Sequence, residues 1–213
     1  MEASDRDDEK ETGRVEPFSD GVIAIAITLL ILKIKVPKVA EMTSGELWPK
    51  LLGLWPSFLA FVMSFGTILV MWVNHHRIFR LVRTTDYPFL YWNGFLLLTI
   101  TFLPFPTAVL AEHLACTEAP AAAAFYTATM VVIALAFNGV WRHLRTHPDL
   151  LLRSADPCEI EGISQQYRFG PLFYLAAFGL AFVSVAASIA ACLALAIFFA
   201  IAGRPACGQD GKK

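Results

Sequence analysis

The stretch Phe18-Ser19-Asp20-Gly21-Val22-Ile23-Ala24-Ile25-Ala26-Ile27-Thr28-Leu29-Leu30-Ile31-Leu32-Lys33-Ile34-Lys35-Val36 reads as a membrane-spanning helix. It is apolar apart from Ser19, Asp20, Thr28, Lys33 and Lys35. At a rise of ~1.5 Å per residue it reaches across a hydrocarbon layer ~30 Å thick. Pro37 ends it, and a short polar connection with Glu41 and Glu46 follows. Trp48 and Trp55 then stand where aromatic belts form at a membrane surface. A second span is expected from Pro49 to Arg77, followed by a basic link with Arg80 and Arg83. The third runs from Pro88 to Glu112, where Pro104 and Pro106 remove two backbone donors and predict a kink. The fourth runs from Ala119 to Leu144. The remaining apolar run, Phe169 to Gly203, is too long for one crossing even when tilted. Its small and polar part, Ser184 to Ser188, is the expected hairpin between two shorter spans. The fold class is therefore all-α, with six transmembrane helices in one domain over residues 13–203. The acidic stretch 1–12 is expected to be a disordered tail because it has almost nothing to bury, and 204–213 a C-terminal tail.

Composition points the same way. Of 213 residues, 56% are hydrophobic and 16% charged, well short of the ~25% charge of soluble domains. A net charge of −1 supplies no basic field for nucleic acid. Cys116, Cys158, Cys192 and Cys207 are scattered without CxxC spacing, so neither a zinc site nor a disulfide framework is legible. The polar start also lacks the basic and apolar segments of a cleavable signal peptide.

Lys and Arg sort by connection. Arg6, Lys10 and Arg14 precede the first span; Arg77, Arg80 and Arg83 follow the second; Arg142, Arg145, Arg153 and Arg168 follow the fourth; and Arg204, Lys212 and Lys213 end the chain. Lys33, Lys35, Lys38 and Lys50 lie in the connection after the first span, and the other two outer connections have none. The larger group marks the cytoplasmic side, so both termini are expected there, in a multi-pass protein of the cell membrane.

No GxSxG, HExxH, phosphate loop or paired intramembrane carboxylate is present, so catalytic residues are expected to be absent. His75 and His76 point about 100° apart on a helix, a poor arrangement for one metal ion. The dense cluster is Arg14-Val15-Glu16-Pro17-Phe18-Ser19-Asp20. Its plain reading is helix capping at a positive dipole end. Topology brings the same membrane level to Trp72, Asn74, His75, His76 and Arg77 at the end of the second span, and to Asn93 near the start of the third. Arg14 and Asp20 supply opposite charges, so a polar clamp is expected. Ser64, Thr99, Thr101, Asn138 and Ser184 are read first as contacts that hold helices together.

Arg14-x-x-x-Phe18-Ser19-Asp20, continuing into Gly21 to Leu30, resembles the signature that opens the first helix in the transmembrane protein 175 family, the endosomal and lysosomal potassium channels and their bacterial relatives. The resemblance implies a single-repeat member that assembles as a homotetramer in the lipid bilayer and conducts potassium ions without a cofactor. It further implies a pore lined by the first helix, with an apolar constriction at Ile25, Leu29 and Leu32. These positions are spaced i, i+4, i+7 and share a helix face. Their radial direction stays open, because nearly every residue from Val22 to Ile34 is apolar. Thr28 either bonds its own helix or faces the pore beside the constriction. The rival readings are a proton-permeable or ion-coupled secondary transporter and a non-transporting accessory protein. A transporter would call for buried mid-membrane carboxylates, and Asp20 lies at a helix end.

Overall fold

The computed structural model describes residues 2–38 and 45–201, and among these the regular structure is helical. The first helix, α1, spans Glu2–Leu29 and continues through a 3-10 turn, Ile31–Lys33. The expected span ended at Val36. The α-helix stops earlier because Leu30, Lys33 and Ile34 donate to carbonyls three residues back, which tightens the last turns. The acidic stretch from Glu2 to Thr12 continues α1 as helical backbone, with acidic residues at its positive end. Residues 1, 39–44 and 202–213, which include the expected C-terminal tail 204–213, lie outside the described residues.

The expected second span is two helices, α2 (Leu47–Gly53) and α3 (Trp55–Phe79). Pro56 cannot donate to the turn before it, so the chain breaks at Leu54. The third span is α4 (Tyr87–Phe102) followed by α5 (Pro104–His113), and the break falls at Leu103, as the two prolines require. Thr107, one residue past Pro106, donates its hydroxyl to Leu103 O at 2.8 Å. The fourth span is α6, Ala119–Thr146.

Beyond α6 the structure adds α7 (Pro157–Arg168), a helix absent from the expected connection. It is amphipathic, with Ile163 and Tyr167 buried and Asp156 accepting from the Cys158 N–H at 2.9 Å to cap it. Cys158 is disulfide-bonded, whereas Cys116 and Cys192 are free, so one cysteine has a bonding role that its spacing did not announce. The hairpin joins α8 (Gly170–Ala181) to α9 (Val185–Ile201) through Phe182 to Ser184, slightly ahead of the expected turn. Ser184 Oγ accepts from the Ala187 N–H at 3.3 Å, which starts α9, while Ser188 Oγ donates to Ala177 O at 2.8 Å and ties α9 to α8.

Among the described residues, four helical segments are long and apolar enough to cross a membrane: Gly13–Lys33, Trp55–Phe79, Tyr87–His113 and Ala119–Thr146. At ~1.5 Å per residue, α8 and α9 are shorter than a full crossing. α6 is the central helix, packed by α4 on one side and by α8 on another, with α3, α5 and α9 around them. Its alanines allow close approach, and Tyr126, Met130, Ile133 and Val140 are buried along it. Within this core Ser64 Oγ lies 2.8 Å from Thr107 Oγ1 and 3.2 Å from Tyr126 Oη, joining α3, α5 and α6. Asn138 donates to Tyr167 O at 2.7 Å, but Thr99 bonds only its own helix, at Leu96 O.

Gly139 faces the Trp92 indole so closely that a Cβ would overlap the ring. Gly139→Ala should therefore push α4 from α6 and cost ~1–3 kcal/mol, as overpacking does. A thermal unfolding midpoint equal to that of the unsubstituted protein would refute this contact.

At the same end of the bundle, the α3–α4 link pairs with the α6–α7 link. Arg83 N–H donates to Leu150 O at 2.7 Å, and Leu152 N–H to Leu81 O at 2.9 Å. Asp86 caps α4 by accepting from the Phe89 N–H at 2.8 Å, and His143 Nε2 lies 2.9 Å from both of its oxygens. Burial opposes ionisation of Asp86, but the Phe89 amide and His143 together hold its carboxyl below the usual range.

Candidate pore helix and its polar anchor

The chemistry of α1 begins with its two faces. Ser19, Ile23, Ala26 and Leu30 are buried and form the stripe that packs on α3 and α4. At ~100° per residue, Phe18, Ile25 and Leu29 share an arc about 40° wide, turned roughly 110° from that stripe. They are 67%, 58% and 37% exposed, respectively, and Leu32 is 73% exposed. Leu32 lies in the 3-10 turn, where side chains at i and i+3 eclipse, so it follows Leu29 along the same face. All three residues expected at a constriction thus stand on the uncovered side of α1. Thr28 is also exposed, and its hydroxyl donates to Ile25 O at 2.9 Å.

The other face is anchored at one end by a file of hydrogen bonds. Ser19 Oγ donates to Val15 O at 2.8 Å and accepts from Asn93 Nδ2 at 2.9 Å. Asn93 then presents Oδ1 to His75 Nε2 at 3.0 Å. Because Asn93 uses its amide N–H on Ser19, its remaining group toward His75 is an acceptor, which makes Nε2 the protonated ring nitrogen. The His75 ring stacks on Phe79 with centroids 4.3 Å apart, and its Nδ1 is buried without a partner among the described residues. Ser19, Asn93 and His75 are all buried, so α1, α3 and α4 meet at a buried polar point.

Beside this file, Trp72 Nε1 donates to Asp20 Oδ1 at 2.9 Å. His76, on the exposed side of α3, pairs with Glu16 through Nδ1 at 2.9 Å, and its ring stacks against Trp72. The adjacent histidines therefore serve different neighbours. Arg14 does not close a clamp on Asp20. It lies at a groove between α1 and α4 and has no hydrogen bond or ion pair among the described residues. Asp20 instead accepts from an indole N–H, a donor that brings no second charge.

Asn74 and Arg77 belong to a separate group. Asn74 Nδ2 donates to Val70 O at 2.9 Å and to Phe199 O at 3.3 Å, reaching α9. Arg77 reaches Glu159 Oε1 at 3.2 Å and Gln166 Oε1 at 3.4 Å on α7. Glu16, Glu159 and Gln166 were absent from the expected layer. The charge of Glu16 beside the motif was a usable signal, but the partners on α7 depended on a helix that the connecting segment did not reveal.

Among the described residues no group of three or more His, Cys, Asp or Glu side chains could hold a metal ion. The arrangement is an uncovered apolar arc on a helix whose neighbouring face is held in place by polar contacts.

The family model described as Endosomal/lysosomal potassium channel TMEM175 matches residues 14–104. A potassium channel of Chamaesiphon minutus is 55% identical over 91% of this chain and 96% of its own length. A potassium channel of Streptomyces collinus is 44% identical over 89% of this chain and 91% of its own. The crystal structure of a lysosomal potassium-selective channel TMEM175 homolog from Chamaesiphon minutus superposes with a TM-score of 0.83 at 52% identity, covering 91% of this chain and 98% of that one. Identity of 55% over nearly the whole of both chains leads to one conclusion: the chain belongs to the TMEM175 family of endosomal/lysosomal potassium channels.

Proposed function

We propose that this chain is a potassium channel that works as a homotetramer, each subunit crossing the cell membrane six times, with the bilayer thinned around the short α8–α9 pair and both termini in the cytoplasm. The uncovered apolar arc of α1 carries the reading. Only 22% of the first span is buried, against 61% of the fourth, although its polar anchor holds it firmly to α3 and α4. A helix fixed on one side and bare on the other suits a pore lining shared with other copies. Rings of Ile25, Leu29 and Leu32 would form the constriction, with Thr28 beside it. An apolar ring offers no hydrogen bonds, so a narrow one stays dry and blocks ions until it widens. Potassium is the permeant ion, as in the potassium channels of Chamaesiphon minutus and Streptomyces collinus that the chain resembles.

The test is a reversal-potential measurement on purified protein in bilayers with opposed potassium and sodium gradients. The potential should lie toward potassium equilibrium and need no coupled ion. Flux that requires a second ion would make the protein a carrier, and absence of flux would make it an accessory protein. A compartment-sensitive reporter fused after Lys213 should report the cytoplasm. An external report would remove the α8–α9 hairpin as a paired crossing.

A further inference from the structure

A cavity of about 50 Å³ lies among α3, α6, α8 and α9, and no residue of α1 lines it. Much of its wall is apolar, formed by side chains such as Met130, Ile133 and Phe137. Within that wall Asn74 on α3, Asn138 on α6 and Tyr174 on α8 each keep an unused polar group. Asn74 Nδ2 is taken up by Val70 O and Phe199 O, and Asn138 Nδ2 by Ala134 O and Tyr167 O. Each amide is left with Oδ1 as an acceptor that no described residue fills. The Tyr174 ring lies parallel to that of Phe199, with centroids 6.1 Å apart, and the residue is only 7% exposed. Its hydroxyl nevertheless makes no hydrogen bond among the described residues.

These groups are not sealed off. Among the described residues, His75 Nδ1 is the side-chain polar atom that is shut away without a partner, so the two amide oxygens and the phenol reach open space. The cavity is the space that their three residues share. A volume of about 50 Å³ holds roughly four water-sized spheres. Each of four waters would need two to four polar partners, and Met130, Ile133 and Phe137 offer none. An ion would meet no opposite charge, because no lining residue is charged. A neutral molecule with a short alkyl part and one hydroxyl suits both halves of the wall. Its hydroxyl donates to an amide oxygen, which can only accept, and accepts from the Tyr174 phenol.

We propose that this cavity binds a small neutral alcohol of about three or four carbons, the size that its volume admits. The hydroxyl sits between Tyr174 and the amide oxygen of Asn74 or Asn138, and the alkyl chain lies against Met130, Ile133 and Phe137. α3 also carries Trp72 and His75, which hold α1, so the occupant packs against the helix that anchors the first span. The site depends on neither the pore nor the topology proposed above.

Photolabelling of the purified protein with a diazirine-bearing butanol, with the adduct located by peptide mass spectrometry, tests the assignment. The adduct should saturate, fall on cavity-lining residues of α6 or α8, and be displaced by 1-butanol. From ethanol to 1-butanol each added methylene should strengthen displacement about fourfold, the effect of burying one CH₂. 1-Octanol outgrows the cavity and should displace less well than 1-butanol at equal aqueous concentration. Tyr174→Phe removes the donor and should weaken displacement by 1-butanol about fivefold, as loss of one hydrogen bond does. Ala196→Leu and Ala134→Leu each enlarge a side chain of the wall and should reduce labelling at least about fivefold, in line with a filled cavity. An adduct that does not saturate, or one that persists at full yield in either filled variant, overturns the site. So does displacement that keeps strengthening up to 1-octanol, which marks partition into detergent. Because the alcohol series is measured on the unsubstituted protein, it decides the matter even where a filled variant fails to fold.

Discussion

Leu29→Asn should raise the basal potassium current by up to about tenfold, the effect of removing ~1.4 kcal/mol from a permeation barrier, and should weaken discrimination against sodium. The expectation follows from the position of Leu29 on the uncovered arc of α1 with Phe18, Ile25 and Leu32, away from the buried Ile23, Ala26 and Leu30. A carboxamide at a narrow ring supplies the donors and acceptors that leucine lacks, so water can occupy the constriction and a cation need not shed its whole shell. Polarity should matter more than volume: Leu29→Met should change conductance little. Single-channel recording on the two variants checks this. If Ile25→Asn and Leu29→Asn both assemble normally and leave conductance and selectivity unchanged, α1 does not present this arc to the permeation path.

Asn93→Leu should lower stability by roughly 2–4 kcal/mol, because the buried His75 N–H is left without a partner and Ser19 Oγ keeps only its bond to Val15 O. The side chains are similar in size, so the loss is electrostatic: Ser19 Oγ loses a donor at 2.9 Å and the His75 N–H loses its acceptor at 3.0 Å. In a chain of this length each kcal/mol moves the melting midpoint by ~2–4 °C. A drop of about 5–15 °C in detergent should therefore accompany the substitution. Ser19→Ala should cost less, and a double-mutant cycle with Asn93→Leu should be non-additive because both act on one file. Additive losses would show that Ser19 and Asn93 stabilise the protein independently. Since the file anchors only one end of α1, Asn93→Leu is also expected to increase current noise before it abolishes assembly.

Much of this architecture could be read along the chain. Pro104 and Pro106 forecast the break between α4 and α5 because a missing N–H cannot be replaced from within the helix. The excess length of the last apolar run forecast a hairpin, and a turn occurs at Phe182 to Ser184. Pro56 carried the same information about the break between α2 and α3, but the run on both sides is apolar and masks the interruption. The connection after α6 was marked in the sequence only by its arginines, and only its packing shows that Ile163 and Tyr167 form the buried side of a helix.

The site divides along a similar line. Sequence alone determined that the first helix crosses a membrane and that its mouth carries polar and charged residues. A lipid interior satisfies no backbone hydrogen bonds, so a long apolar run there must be helical whatever surrounds it. It could not determine which side of that helix is covered, because periodicity needs polar residues to contrast with apolar ones, and Val22 to Ile34 provides few. Nor could it assign Trp72 to Asp20, Glu16 to His76 or Glu159 to Arg77. Each pair lies more than fifty residues apart in the chain, and donor geometry across α1, α3 and α7 selects among several chemically adequate partners. The tertiary structure makes that selection by setting which side chains come within hydrogen-bond distance, leaving one face of α1 bound and the other bare.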